Sequence, residues 1–176
     1  LFARPEMVRC VEQRKYDGFR VLVHKIGDRI VMPGRSWITD FAENPVYAEI
    51  VKELRTIPVK ECILDCEMVF FDADGVDRVM TGNVTAATVR ENGLTPRLMA
   101  FDLISVLGRD ARDHTLRERL EMLEALLGCE REIRGAVQLV ETHRDARDFR
   151  LVYEKIIAEG GEGAVIKRAD SQYVAG

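Results

Sequence analysis

The chain has 176 residues, 47% apolar and 32% charged, with 26 Lys and Arg against 30 Asp and Glu for a net charge of −4. That length supports one domain with its own core rather than two, and the charge balance argues against a domain that grips a long stretch of nucleic acid unaided. The apolar runs are too short to span a membrane, and four cysteines without a C-x-x-C pair, beside three histidines, argue against a zinc site.

The opening stretch, LFARPEMVRC, resembles neither a signal peptide nor a transit sequence, and without a leading methionine it reads as the start of an excised piece. Cys10, Cys62, Cys66 and Cys129 read as reduced thiols of an intracellular, cytoplasmic protein. FRVLVHKI and RIVM flank a Gly-Asp pair and predict a hairpin. NPVYAEIVKEL predicts a helix, with Asn44 as its cap, Pro45 in its first turn, and Val46, Ile50 and Leu54 on one face. CILDCEMVFFDADGV predicts a long strand. Its alternation puts Ile63, Asp65, Glu67, Val69 and Phe71 on one face and Leu64, Cys66, Met68 and Phe70 on the other. Two carboxylates amid apolar residues call for partners.

DRVMTGNVTAATVRENGLTP predicts loop with a short helix, and RLMAFDLISV another strand. TLRERLEMLEALLG is the clearest helix: Thr115 and Glu118 form a capping box, Leu116, Leu120, Leu123 and Leu127 form the buried stripe, and Gly128 ends it. AVQLVET predicts a strand. DARDFRLVYEKIIAEGG predicts a helix with Phe149, Tyr153, Ile156 and Ile157 inward, and GAVIKR a last strand. The expected class is α+β, with antiparallel or mixed sheets and helices packed outside.

Four clusters put charge where packing alone would not: K-x-D-G-x-R at Lys15–Arg20, L-D-C-E-M at Leu64–Met68, A-F-D-L-I at Ala100–Ile104, and E-G-x-E-G-A-V-I-K at Glu159–Lys167. Taken singly each has a plain reading. KYDGFR serves equally as a solvated turn, Glu67 as a partner for a buried arginine, Phe101 as core, and Gly160, Gly161 and Gly163 as an ordinary helix stop. Their order and spacing, however, resemble the ATP-dependent DNA ligases, within the covalent nucleotidyltransferases, and most of all the bacterial ligases of end-joining repair. IKRADSQYVAG is similar to those ligases' segment at the same place. The likeness runs from about Glu12 to Gly176.

The resemblance implies an ATP-grasp-like domain, with two sheets flanked by helices and the nucleotide in the groove between them. It implies that Lys15 attacks the α-phosphate of ATP, giving a lysyl-AMP phosphoramidate. A free lysine amine, with a pKa of about 10.4, must first be neutralised by burial, neighbouring cations or metal. By the same likeness Asp17 and Gly18 support the nucleophile, Gly18 by letting the backbone pass close to the nucleotide. Arg20 offers a fork to ribose or phosphate oxygens, Arg35 contacts phosphate, Phe101 stacks on adenine and Lys167 reaches the α-phosphate. Glu67 lies near the ribose and, with Glu162, holds Mg²⁺ or Mn²⁺. Gln13 is the preferred adenine contact, with Glu12 as the alternative.

The expected partner is nicked double-stranded DNA and the expected state a monomer, with no membrane association. Cys66 stands where the family has glycine, and MPGRSW lacks the serine, asparagine and glycine that usually frame the position of Arg35. A further K-x-K pair and an OB-fold domain, which the family places beyond Gly176, are expected to be missing, leaving nick sealing weak or absent. The competing expectations are an RNA ligase or capping-type guanylyltransferase, and a fragment that binds nucleotide without turnover.

Overall fold

The computed structural model describes residues 9–34, 40–80, 84–128, 135–145 and 147–174. Its strands are β1 (Cys10–Lys15), β2 (Phe19–Ile26), β3 (Arg29–Val31), β4 (Glu61–Phe71), β5 (Asp77–Arg78), β6 (Thr95–Val106), β7 (Arg109–Asp110), β8 (Val137–Leu139), β9 (Thr142–His143) and β10 (Gly163–Arg168). Its helices are α1 (Ala48–Arg55), α2 (Ala86–Glu91), α3 (Leu116–Leu127) and α4 (Phe149–Ala158).

They form two sheets. The larger runs β3-β2-β4-β6-β7, with β5 beside β4 and β8 beside β6; the smaller, three-stranded, runs β10-β1-β9. All pairings are antiparallel except β6 with β8. The mixed two-sheet architecture expected from the sequence is therefore the one observed. Among the described residues no helix is long and apolar enough to cross a membrane.

The alternation read along β4 builds the main core. Leu64, Cys66, Met68 and Phe70 are each 2% exposed or less and pack with Val21, Val23, Leu98 and Leu103 of the neighbouring strands. Cys66 is fully enclosed there, so the side chain that stands where the family has glycine fills core space. The opposite face carries Val69 and Phe71 into a second cluster with Met99 and Val140, against which Tyr16 and Phe101 pack.

The pairing of β4 with β6 is broken by two register shifts, between Ile63 and Leu64 and between Asp65 and Cys66. Leu64 pairs with Leu103, Asp65 with Asp102 and Cys66 with Ala100, so Phe101 is the extra residue of a bulge. A bulge re-aims the side chain it carries.

α3 is as its sequence predicts. Thr115 Oγ1 accepts from the Glu118 amide, Glu118 Oε2 accepts from the Thr115 amide at 2.8 Å, and the four leucines are buried. Gly128, at φ +82°, takes a backbone conformation that side chains rarely adopt, and the helix ends there.

Three expectations need correction. Asn44 caps a 3-10 turn at Pro45–Tyr47, accepting from Val46 N at 3.0 Å, and α1 begins only after it. AVQLVET is not one strand: β8 joins the large sheet and β9 the small one. In α4 only Phe149 and Ile156 are buried; Tyr153 is 40% exposed and Ile157 45%, because the small sheet is too narrow to cover the whole stripe.

One buried group has a measurable cost. Glu12, on β1, is fully enclosed, and neither carboxylate oxygen has a hydrogen-bond partner among the described residues. Burial pushes its pKa from 4.5 to about 7. The unfolded chain thus releases this proton near pH 4.5 and the folded chain only near 7. The group's contribution to stability is full below the lower value and is lost as pH rises to the upper one. Glu12→Gln is expected to be more stable than the parent at pH 8 by about 2 kcal/mol, with the gain vanishing toward pH 4.5. Urea midpoints at the two pH values check this; a gain that does not depend on pH contradicts it.

Candidate active site

Strand alternation decides which residues of β1 face the groove between the sheets. Val11, Gln13 and Lys15 share one face; Glu12 and Arg14 point to the other. On β10, Lys167 lies opposite Val11, Val165 opposite Gln13 and Gly163 opposite Lys15. The groove holds a cavity of about 380 Å³, a size suited to a nucleotide. Lys15 and Lys167 line it from the small sheet, Glu162 from the residue just before β10, Glu67 and Phe101 from the large sheet, and Tyr16, Asp17 and Gly18 from the turn that joins the sheets. Four separate stretches of sequence therefore converge on one space.

Lys15 Nζ donates to Glu162 Oε1, with the two side chains 50% and 37% exposed. The Lys15 amine is thus half open to solvent. Glu67 has a raised pKa, about 7. Burial is the main cause, and the negative charges of Asp65 and Asp17 add to it, against the opposing effect of Arg20 and Lys15.

Lys167 Nζ donates to Gln13 Oε1 at 2.7 Å and lies 4.7 Å from the centroid of the Phe101 ring; burial lowers its pKa. Gln13 Nε2 donates to the Phe101 carbonyl at 3.3 Å and to Thr142 Oγ1 at 3.0 Å. Gln13 is only 2% exposed, and its amide ties the two sheets together behind the cavity. It stands on the groove face, while Glu12 faces away. Its amide is shared among Lys167, the Phe101 carbonyl and Thr142.

Two of the expected residues also have partners within the chain. Gly18 was expected to give room to a nucleotide; a Cβ there would lie 2.2 Å from the Met68 carbonyl oxygen, so the close approach that requires glycine is to β4. Arg20 was expected to fork a ribose or phosphate. Its Nε donates to Asp65 Oδ1 at 2.9 Å and its Nη2 to Asp65 Oδ2 at 2.8 Å, so the fork is held by a carboxylate from β4. Asp65, not Glu67, is the strand carboxylate that pairs with an arginine. Arg35 lies outside the described residues.

Sequence reasoning passed over Arg14. It binds Asp77 at 3.1 Å and Glu159 at 3.0 Å and lies 5.3 Å from the Tyr16 ring centroid; although it starts from the opposite face of β1, its long side chain reaches the edge of the cavity. A charge next to a candidate nucleophile on an alternating strand reads as solvated, and nothing in the local pattern marks it otherwise.

A family model described as the ATP dependent DNA ligase domain matches residues 5–176. The chain belongs to that family. A probable DNA ligase of Beutenbergia cavernae is 31% identical to this ligase domain over 166 residues, covering 92% of the chain and 31% of that protein. A DNA ligase of Natronomonas pharaonis is 31% identical over 171 residues, covering 93% and 29% respectively. The domain thus spans about 30% of the length of these relatives.

Among solved structures, the ligase domain of M. tuberculosis LigD superposes with a TM-score of 0.70 at 24% identity, over 95% of this chain and 51% of that one. A mycobacterial DNA ligase D complexed with ATP and MES gives 0.69 at 24% identity, over 95% and 50%. These likenesses show that the ligase domain has the two-sheet nucleotidyltransferase fold expected from its motifs.

Proposed function

We propose that this ligase domain forms a covalent adenylate on Lys15. The observation that carries the reading is the convergence of Lys15, Glu162, Glu67, Phe101 and Lys167 on a single cavity between the sheets. The Lys15 amine attacks the α-phosphorus of ATP; an N–P bond forms, the bond to the bridging oxygen breaks and pyrophosphate leaves. The amine must lose a proton, and Glu162 Oε1 is the acceptor already in contact with it. Phe101, turned toward the cavity by its bulge, offers a face for the adenine. Lys167 supplies positive charge for the phosphate oxygens, where charge builds during the displacement.

The donor set also fits a hard divalent cation. Among the described residues no cluster of three or more His, Cys, Asp or Glu side chains is poised to hold a metal. Mg²⁺ bound with phosphates, however, needs only one or two protein carboxylates. Glu67 and Glu162 would hold Mg²⁺ or Mn²⁺, which when bound offsets phosphate charge.

In the later steps AMP passes from Lys15 to the 5′-phosphate at a nick in double-stranded DNA, and the 3′-hydroxyl displaces it. With a net charge of −4, the domain relies on local contacts or on further domains, such as an OB-fold, to grip the duplex. Incubation with Mg²⁺ and ATP labelled at the α-phosphate tests the first step. Acid-labile label on the protein from ATP, and none from GTP, is expected. Label from GTP would indicate capping-type chemistry; nucleotide binding without covalent label would indicate a binding fragment.

A further inference from the structure

Tyr173 lies outside the Lys15 cavity, on the segment that follows β10. The first turn of α3 clamps that segment. The Ser171 carbonyl accepts from Leu116 N at 2.8 Å and from Arg119 Nη1 at 3.2 Å, and the Ala169 carbonyl accepts from Arg117 N at 3.0 Å. Helix N-terminal amides need such acceptors, and here they fix the chain just beyond Lys167.

The clamp delivers the Tyr173 ring between two arginine–aspartate forks. On one side its hydroxyl donates to Asp65 Oδ2 at 2.7 Å and accepts from Arg20 Nη2 at 2.7 Å. On the other, Arg119, held by Asp102, lies 5.7 Å from the ring centroid. Asp65 is 1% exposed, whereas the Arg20 side chain is 45% exposed. A guanidinium so open to water gains a second fixed contact from the phenol, on a different part of the chain. Arg20 faces a second cavity, of about 280 Å³, which shares Phe101 and Lys167 with the first.

We propose that Tyr173 is a positioning residue for nucleotide binding. With Asp65 it holds the Arg20 guanidinium in the second cavity, whose lining includes the Lys167 and Phe101 of the first. The inference rests on the reading that the Lys15 cavity takes ATP. Tyr173→Phe keeps the ring and removes both hydroxyl contacts, so packing is preserved while the tie to Arg20 is lost.

The test is the Kd for Mg-ATP, measured by titration calorimetry on this chain carrying Lys15→Ala, so that no covalent step intervenes. Tyr173→Phe is expected to weaken binding roughly tenfold, the low end of the effect of one hydrogen bond to a charged group. In an Arg20→Lys background the same change is expected to cost less than about twofold, because a residue acting through another is not additive with it. Arg20→Gln serves if the lysine variant does not fold. An unchanged Kd in Tyr173→Phe, equal losses in both backgrounds, or no ATP binding by the chain would each overturn the inference. Covalent labelling is read separately on the chain with Lys15 intact. Failure to label alongside the expected pattern of Kd values counts against the covalent step alone.

Discussion

Lys15→Arg is expected to abolish the covalent adenylate while leaving the fold, and most of the affinity for ATP, in place. Arginine keeps a positive charge within reach of Glu162, but its guanidinium does not deprotonate and so offers no lone pair to phosphorus. The expected loss of label is at least ~10³-fold, with the Kd for ATP changed by less than about fivefold. The cavity contains one competitor for the role. Lys167 is more buried, its pKa is lowered by that burial, and it lines the same space. Its Nζ is committed to Gln13 and lies over the Phe101 ring, where it is poorly placed to attack. Mapping the labelled peptide distinguishes the two. Label that survives Lys15→Arg and disappears in Lys167→Arg would move the nucleophile to β10.

The second large effect concerns stability. Arg119 is 2% exposed and its Nε and Nη2 donate to Asp102 at 2.8 and 3.0 Å, while its Nη1 donates to the His114 carbonyl at 2.6 Å. It therefore pins α3 to β6 one residue from Phe101. Arg119→Ala leaves the Asp102 carboxylate, itself only 5% exposed, without its fork. An unpaired buried charge of this kind costs about 3–5 kcal/mol, or roughly 10 °C in Tm for a domain of this size. Replacing both partners, as Arg119→Met with Asp102→Leu, is expected to recover most of the loss, because the penalty lies in the orphaned charge. Chemical denaturation of the two variants decides this; a single variant within 1 kcal/mol of the parent would contradict it.

Most strands are readable because they rest on period-two alternation, as Leu64 and Met68 on β4 show. CVEQRK, which forms β1 and puts Gln13 and Lys15 on one face, has no such alternation and does not announce itself as a strand. What the sequence hid was the pairing of distant elements. Nothing in RLMAFDLISV announces that Phe101 is a bulge residue, since the extra residue exists only relative to β4. Asp65 and Glu67 were readable as strand carboxylates in need of partners, but which one takes Arg20 depends on side-chain placement across β2 and β4. Arg119 occupies an inward position of the α3 stripe, between Leu116 and Leu120, where a charge is ordinarily assigned to solvent. AVQLVET alternates throughout, yet alternation carries no information on sheet membership, and the stretch divides between the two.

The small sheet carries Lys15 and Lys167, with Glu162 at the entry to β10, and α4 backs it with just two buried side chains, Phe149 and Ile156. Most of the protein's apolar interior belongs to its larger neighbour. A ligand touching lysines on one layer and Glu67 and Phe101 on the other acts as mortar between a thick wall and a thin one. Part of its binding energy then appears as cohesion of the thin wall, whose local opening would otherwise separate the reacting amine from the surface that orients the base.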